Sequence, residues 1–168
     1  MHTIVQNMGY SENTEVKIVE PNKGKHIAVA GDINTIVASK EDTGGTYSFI
    51  EAKVFPGGGP APHIQRREHE GFYVIAGQLT FKIDKKRIEA KPGTFVNVPT
   101  NVLHSYINET NETAKLIIVL SPPGMEQLFV DIGLEVSDIN KQPPPFTNEQ
   151  KQKLPSLAAK YGMEIKLD

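Results

Sequence analysis

The 168-residue chain contains no cysteine. Disulfides and thiolate metal sites are therefore excluded, and the composition suits a reducing, cytoplasmic location. The chain also lacks a basic stripe. Its 18 Lys and Arg stand against 20 Asp and Glu, for a net charge of −2. Nucleic acid and anionic membrane surfaces are not expected partners. No apolar run is long enough to span a bilayer, and the opening MHTIVQNMGYSENTEV has no apolar core of signal-peptide length. No helix-turn-helix segment is present. The length fits one domain with a real core. Asn108–Thr110 and Asn111–Thr113 have the glycosylation pattern, read here as a polar turn.

What is present is a series of short alternating segments between turn signals. Val16–Val19 is expected to be an edge strand. Lys25–Ala30 and Ile33–Ala38 flank Gly31-Asp32, a two-residue hairpin signal. Thr46–Phe55 alternates so that Ser48, Ile50, Ala52 and Val54 share one face. Tyr47, Phe49 and Phe55 share the other with Glu51 and Lys53, a face suited to cover by the N-terminal arm or a second subunit. Pro56–Pro62, with three consecutive glycines, breaks the ladder. Further strands are expected over Glu70–Ala76, Leu79–Ile83, Arg87–Ala90, Thr94–Val98, Val102–Asn108 and Ala114–Leu120. Met125–Ile132 reads as a short helix and Lys141–Phe146 as an extended linker. Thr147 and Gln150 form a capping-box pair that opens a last helix, with Pro155 breaking or restarting it and Gly162 stopping it. About ten strands with regular turns predict an all-β barrel or jelly roll with a short C-terminal helical tail. The histidine segment is not repeated, so one barrel is expected: a core of about 25–122, an arm over 1–24 and a tail over 123–168.

His63 and Gln65 stand at spacing two in an extended segment, so both side chains point the same way. Glu70 opens the next strand. His104 lies far along the chain on another inward-facing strand, with Tyr106 and Asn108 on its face. A small barrel brings such positions within reach of one interior point. Two imidazoles and a carboxylate suit iron, manganese, nickel, cobalt or zinc, and Gln65 can add a carbonyl oxygen. Taken singly, each of these residues also fits an ordinary hydrogen-bonded role. His69 neighbours Glu70 and should face outward. His2 and His26 lie outside the cluster. Tyr106 faces the interior, as a pocket wall, a proton donor or core packing.

These residues resemble the two motifs of the cupin superfamily. Gly57, His63, Gln65, Glu70 and Gly77 occupy the positions of the first motif, with Gln65 where that family has a second histidine. Gly93, Pro99, Asn101, His104 and Asn108 occupy those of the second, with Asn101 in place of a turn glycine. From about residue 25 to 165 the chain is similar to single-domain cupins of the quercetin 2,3-dioxygenase-like group. The resemblance implies a double-stranded β-helix, a divalent transition metal held by His63, Gln65, Glu70 and His104, and often a homodimer. It further implies a dioxygenase acting on a small aromatic or enol-type substrate. Glu70 would be both ligand and base, with a pKa raised by an apolar barrel. Phe72, Phe81 and Tyr106 would line the pocket. A metal-free small-molecule binder, in which His63 and Gln65 hydrogen-bond a polar ligand, uses the same frame. So does an isomerase or epimerase.

Overall fold

The computed structural model describes residues 16–166. The strands and helices run β1 Lys25–Val29, β2 Asp32–Ala38, β3 Ser48–Val54, β4 His63–Gln65, β5 His69–Ala76, β6 Leu79–Ile83, β7 Lys86–Ala90, β8 Phe95–Val98, β9 Leu103–Ile107, β10 Ala114–Ser121, α1 Glu126–Ile132, β11 Leu134–Glu135, α2 Asn148–Lys160 and β12 Met163–Ile165. One sheet has the order β11-β1-β2-β3-β10-β5-β8 and the other β12-β4-β9-β6-β7. Every pairing is antiparallel. The two inner faces enclose the core, as alternating patterns require when only one face of each strand is buried. This is the expected jelly roll.

The alternation of β3 is realised in full: Ser48, Ile50, Ala52 and Val54 are buried while the residues between them are half-exposed. Across the core, Phe72 packs edge-on against Phe81 at 5.3 Å between ring centroids. Leu79, Leu116 and Leu120 fill the remaining space, each wholly buried. Each such side chain stabilises the fold by about 1.5–3 kcal/mol.

Several expectations need correction. Val16–Val19 forms no strand, and Val16 and Ile18 are exposed. The rest of the expected arm, His2 included, lies outside the described residues. Phe55 is buried rather than on the outer face of Tyr47 and Phe49, because the chain leaves the ladder after Val54 and the Phe55 N–H turns to Asp32 Oδ1. The first hairpin turns at Ala30-Gly31, with φ of 54° and 93°, not at Gly31-Asp32. Two successive positive φ angles match the twist of a two-residue hairpin, and the one-residue difference makes Asp32 the first residue of β2. Pro155 does not break α2, which continues through it. Lys151 and Pro155 are both exposed, so the carbonyl that proline leaves unbonded is open to water. The capping box of Thr147 and Gln150 forms as expected, in both directions. Asn101 takes the left-handed backbone its turn requires, at φ 68°.

The tail is more than helical. After α2 the chain turns at Gly162 and adds β12 to β4, with Met163 opposite Gln65 and Ile165 opposite His63. The strand that carries two candidate site residues is thus held on one side by β12 and on the other by β9.

The glycine loop between β3 and β4 is fixed against the end of β9. Gly57 N–H donates to Asn108 O at 2.8 Å and Asn108 N–H to Gly58 O at 2.9 Å. Gly59 sits at φ 130°, where a Cβ would meet the Tyr106 carbonyl oxygen at 2.1 Å. Gly59→Ala therefore combines a disfavoured backbone with a backbone clash and should destabilise the protein by about 2–3 kcal/mol. Urea unfolding reads this, and an unchanged midpoint would show that the loop yields without cost.

Candidate metal centre and its cavity

His63 and His104 face each other across the β4–β9 pair, and Glu70 reaches them from β5 in the other sheet. Their ligating atoms all lie within 4.8 Å of one another. His104 Nε2 is 2.6 Å from Glu70 Oε2, and His63 Nε2 is 3.7 Å from the same oxygen. All three side chains are buried. His63 Nδ1 lies 2.9 Å from Ala61 O and His104 Nδ1 3.0 Å from Val102 O. Donation from Nδ1 to a carbonyl fixes each ring and turns Nε2 toward Glu70, the arrangement that backs a metal-ligating imidazole.

Two observations bear on whether a metal fits. First, His104 Nε2 and Glu70 Oε2 lie 2.6 Å apart, and neither buried atom has another hydrogen-bond partner. With His63 Nε2 they converge on one space. Second, Gln65 is 1 % exposed, and its amide oxygen and nitrogen are both buried without a partner. An unsatisfied buried amide costs about 1–3 kcal/mol unless something meets it. Gln65 shares the inward face of β4 with His63. The donor set of two imidazoles, one carboxylate and one amide oxygen fits a divalent transition ion.

Burial alone would raise the Glu70 carboxyl. The His104 and His63 imidazoles beside it outweigh that and hold it at about 2. The expectation of a raised Glu70 pKa is therefore corrected: its two neighbours keep it an anion. Burial lowers His104, but the Glu70 carboxylate outweighs it and the net direction is up. Burial pushes Tyr106 well above the usual phenol range, and the Asp32 and Glu70 carboxylates add to this. Tyr106 thus stays a hydroxyl donor.

His63 and Glu70 open onto a cavity of about 200 Å³. Phe72 and Tyr106 line it. Phe81 does not: it is wholly buried behind them, 5.3 Å from Phe72 and 5.6 Å from Tyr106 between ring centroids. The inner ends of Leu128 and Phe129 on α1, Leu154 on α2, and Met163 and Ile165 on β12 complete the wall, so the tail closes the barrel mouth. A larger depression of about 710 Å³ lies on the surface, walled by charged residues of both signs such as Lys40, Arg67 and Glu126, and includes none of the three clustered residues. His69 is exposed, as its parity requires, and His26 bonds Thr35 Oγ1 at 2.8 Å outside the site. Asn108 is a loop staple: its amide donates to Val54 O and Glu112 O at 2.8 and 2.7 Å. The polar-turn reading of the two sequons agrees with this.

Asp32 and Asn34 were not expected here, yet both are buried on β2 and line the cavity. Their spacing of two is the same signal that singled out His63 and Gln65.

Two antiparallel sheets, a triad on β4, β5 and β9, and an apolar interior now stand together. Residues 51–120 match the family model described as a cupin domain. Over that stretch the chain is similar to cupin domains. It is 29% identical over 116 residues to quercetin 2,3-dioxygenase of Bacillus subtilis strain 168, a match covering 69% of this chain and 34% of that enzyme, so it spans about a third of that enzyme's length. It is 26% identical over 109 residues to polyketide synthase CurC of Streptomyces cyaneus, covering 64% of this chain and 68% of that one. Among solved structures, KdgF from Halomonas sp. matches with a TM-score of 0.60 at 18% identity, over 67% of this chain and 99% of that chain. At that identity the likeness shows the fold alone. Among the described residues, no helix is long and apolar enough to cross a membrane.

Proposed function

We propose that this protein is a metal-dependent cupin of the quercetinase-like type, a dioxygenase acting on a small aromatic or enol-type hydroxyl substrate. The observation that carries this is the convergence of His63, Glu70 and His104 within 4.8 Å, with both amide atoms of Gln65 unpartnered. The likeness to a quercetin 2,3-dioxygenase supports the reaction class. His63, Glu70 and His104 would hold the ion, with Gln65 as a weaker fourth donor. A bound ion would supply Lewis acidity and one-electron chemistry toward dioxygen. The remaining work belongs to the chain. Phe72, Ile118 and Leu128 exclude water and favour an apolar ring. Tyr106, held protonated, offers a donor. A cavity of about 200 Å³ takes little more than one substituted ring, since an apolar cavity of about 150 Å³ accommodates benzene.

Metal analysis of untagged protein, followed by oxygen-electrode assays with simple catechols and single-ring enols, tests the reading. Near-stoichiometric metal with substrate-dependent oxygen uptake supports it. Metal without oxygen uptake points to the isomerase or epimerase reading of the same site. No metal even after reconstitution sinks the enzyme reading and leaves the small-molecule binder.

Gln65 sets a further expectation. An imidazole is a stronger donor to late transition ions than an amide. Gln65→His should therefore raise metal affinity by roughly tenfold. Competition with a chelating dye reads the change, and an affinity equal to or below that of the wild type would place Gln65 outside the ligand set.

A further inference from the structure

Asp32 takes no part in the triad, yet its carboxylate is built into the cavity wall. Phe55 N–H donates to its Oδ1 at 2.9 Å. At Gly58 a Cβ would meet that oxygen at 2.1 Å, so the loop makes room for the carboxylate and faces it with bare backbone. No cationic side chain among the described residues pairs with it. A buried carboxylate without a cation is costly. Anchoring the loop does not use it up, because the Phe55 and Gly59 N–H groups together fill only about two of the four acceptor sites of a carboxylate. What a carboxylate adds is acceptor capacity toward the cavity. Around it the wall is apolar, with Phe72, Ile118, Leu128 and Phe146. Asp32 and Glu70 come from strands separated by β3 and β10, and both act on the Tyr106 hydroxyl.

We propose that Asp32 is a specificity-determining residue that accepts a hydrogen bond from a hydroxyl of a single-ring phenol or enol held in the cavity. This deepens the substrate class proposed above and rests on that reading. An ionised carboxylate only accepts, so the comparison is made at about pH 8.5, above the range over which burial keeps Asp32 protonated and below phenol ionisation. The site should therefore favour a phenol over the corresponding methyl ether, which has the same ring and no donor.

The test is binding of 4-methylphenol and of 4-methylanisole, by calorimetry, to wild type, Asp32→Asn and Glu70→Gln, each freed of metal by chelation. Wild type should prefer the phenol by at least about tenfold, the weight of one hydrogen bond to a charged group. Asp32→Asn keeps an oxygen for Phe55 and turns its NH₂ toward the cavity, so it should bind the two within about twofold. Glu70→Gln should keep the preference. Carbon-13 spectra of aspartate-labelled wild type provide a reading that needs no variant: one carboxyl resonance should move with the phenol and stay put with the ether. A preference that survives in Asp32→Asn overturns the proposal. So does a wild type that binds neither probe, or that cannot tell them apart. Metal content of untreated samples separates the two readings. Metal present with the preference intact in Asp32→Asn overturns the role of Asp32 alone. Metal absent with an Asp32-dependent preference overturns the metal reading alone.

Discussion

His104→Ala should cost the protein its metal. The proposed centre would draw on three strong donors, and removing one would leave His63 and Glu70 with the weaker amide of Gln65. Loss of a group that merely orients a ligand weakens metal binding by about 10–100-fold, so loss of a ligand itself should exceed about 100-fold. The imidazole also matters without metal. It lies 2.6 Å from Glu70 Oε2 and is the foremost of the contacts that hold that buried carboxyl down. Removing one partner of a buried charged pair typically destabilises by about 3–5 kcal/mol. The variant should thus lose metal by elemental analysis and, as apoprotein, unfold at lower urea. His69→Ala is the matching control: His69 is exposed and outside the cluster, so metal content and stability should not change. Full metal occupancy in His104→Ala would remove His104 from the ligand set and with it the proposed centre.

The readable part of the site was the part governed by parity. His63 and Gln65 at spacing two, His69 and Glu70 in adjacent positions, and His104 and Tyr106 at spacing two all fall on the faces that period two assigns them. The core of β3 and β10 was legible for the same reason. Three things were not legible. The turn at Ala30-Gly31 needs positive φ at an alanine, which propensity disfavours, so Asp32 was read as a turn residue when it opens a buried strand. β12 is three residues long, too short for alternation to show, yet it buttresses β4 and supplies Met163 and Ile165 to the cavity. The charge state of Glu70 depends on two imidazoles from the other sheet, a tertiary fact that an apolar setting alone misjudges. Phe81 had the right face but the wrong depth, since Phe72 and Tyr106 stand between it and the cavity.

Asp32 gives the second large effect, a stability that depends on pH. Burial raises its carboxyl from 3.8 to about 7, against the lowering pull of the Phe55 and Gly59 backbone N–H groups. In the unfolded chain the group releases its proton near pH 4, whereas in the fold it keeps the proton until about pH 7. The folded state binds the extra proton across that window, so stability from this group is full below pH 4 and is lost as pH rises to about 7. That displacement corresponds to a ceiling of about 4 kcal/mol, reduced where cavity water screens the charge. Asp32→Asn cannot ionise and should be free of the loss. The measurable quantity is the difference in unfolding free energy between metal-free wild type and Asp32→Asn. His104 and Glu68, whose values are also raised, titrate in both proteins and largely cancel. Relative to the variant, wild type should be favoured near pH 4 and should fall behind steadily up to about pH 7, with no further change above that. Parallel curves across this range would mean that Asp32 ionises as an ordinary carboxylate, already solvated within the cavity. A wild type that gains on the variant as pH rises would mean that the backbone N–H groups outweigh burial and that the anion is the form the fold prefers.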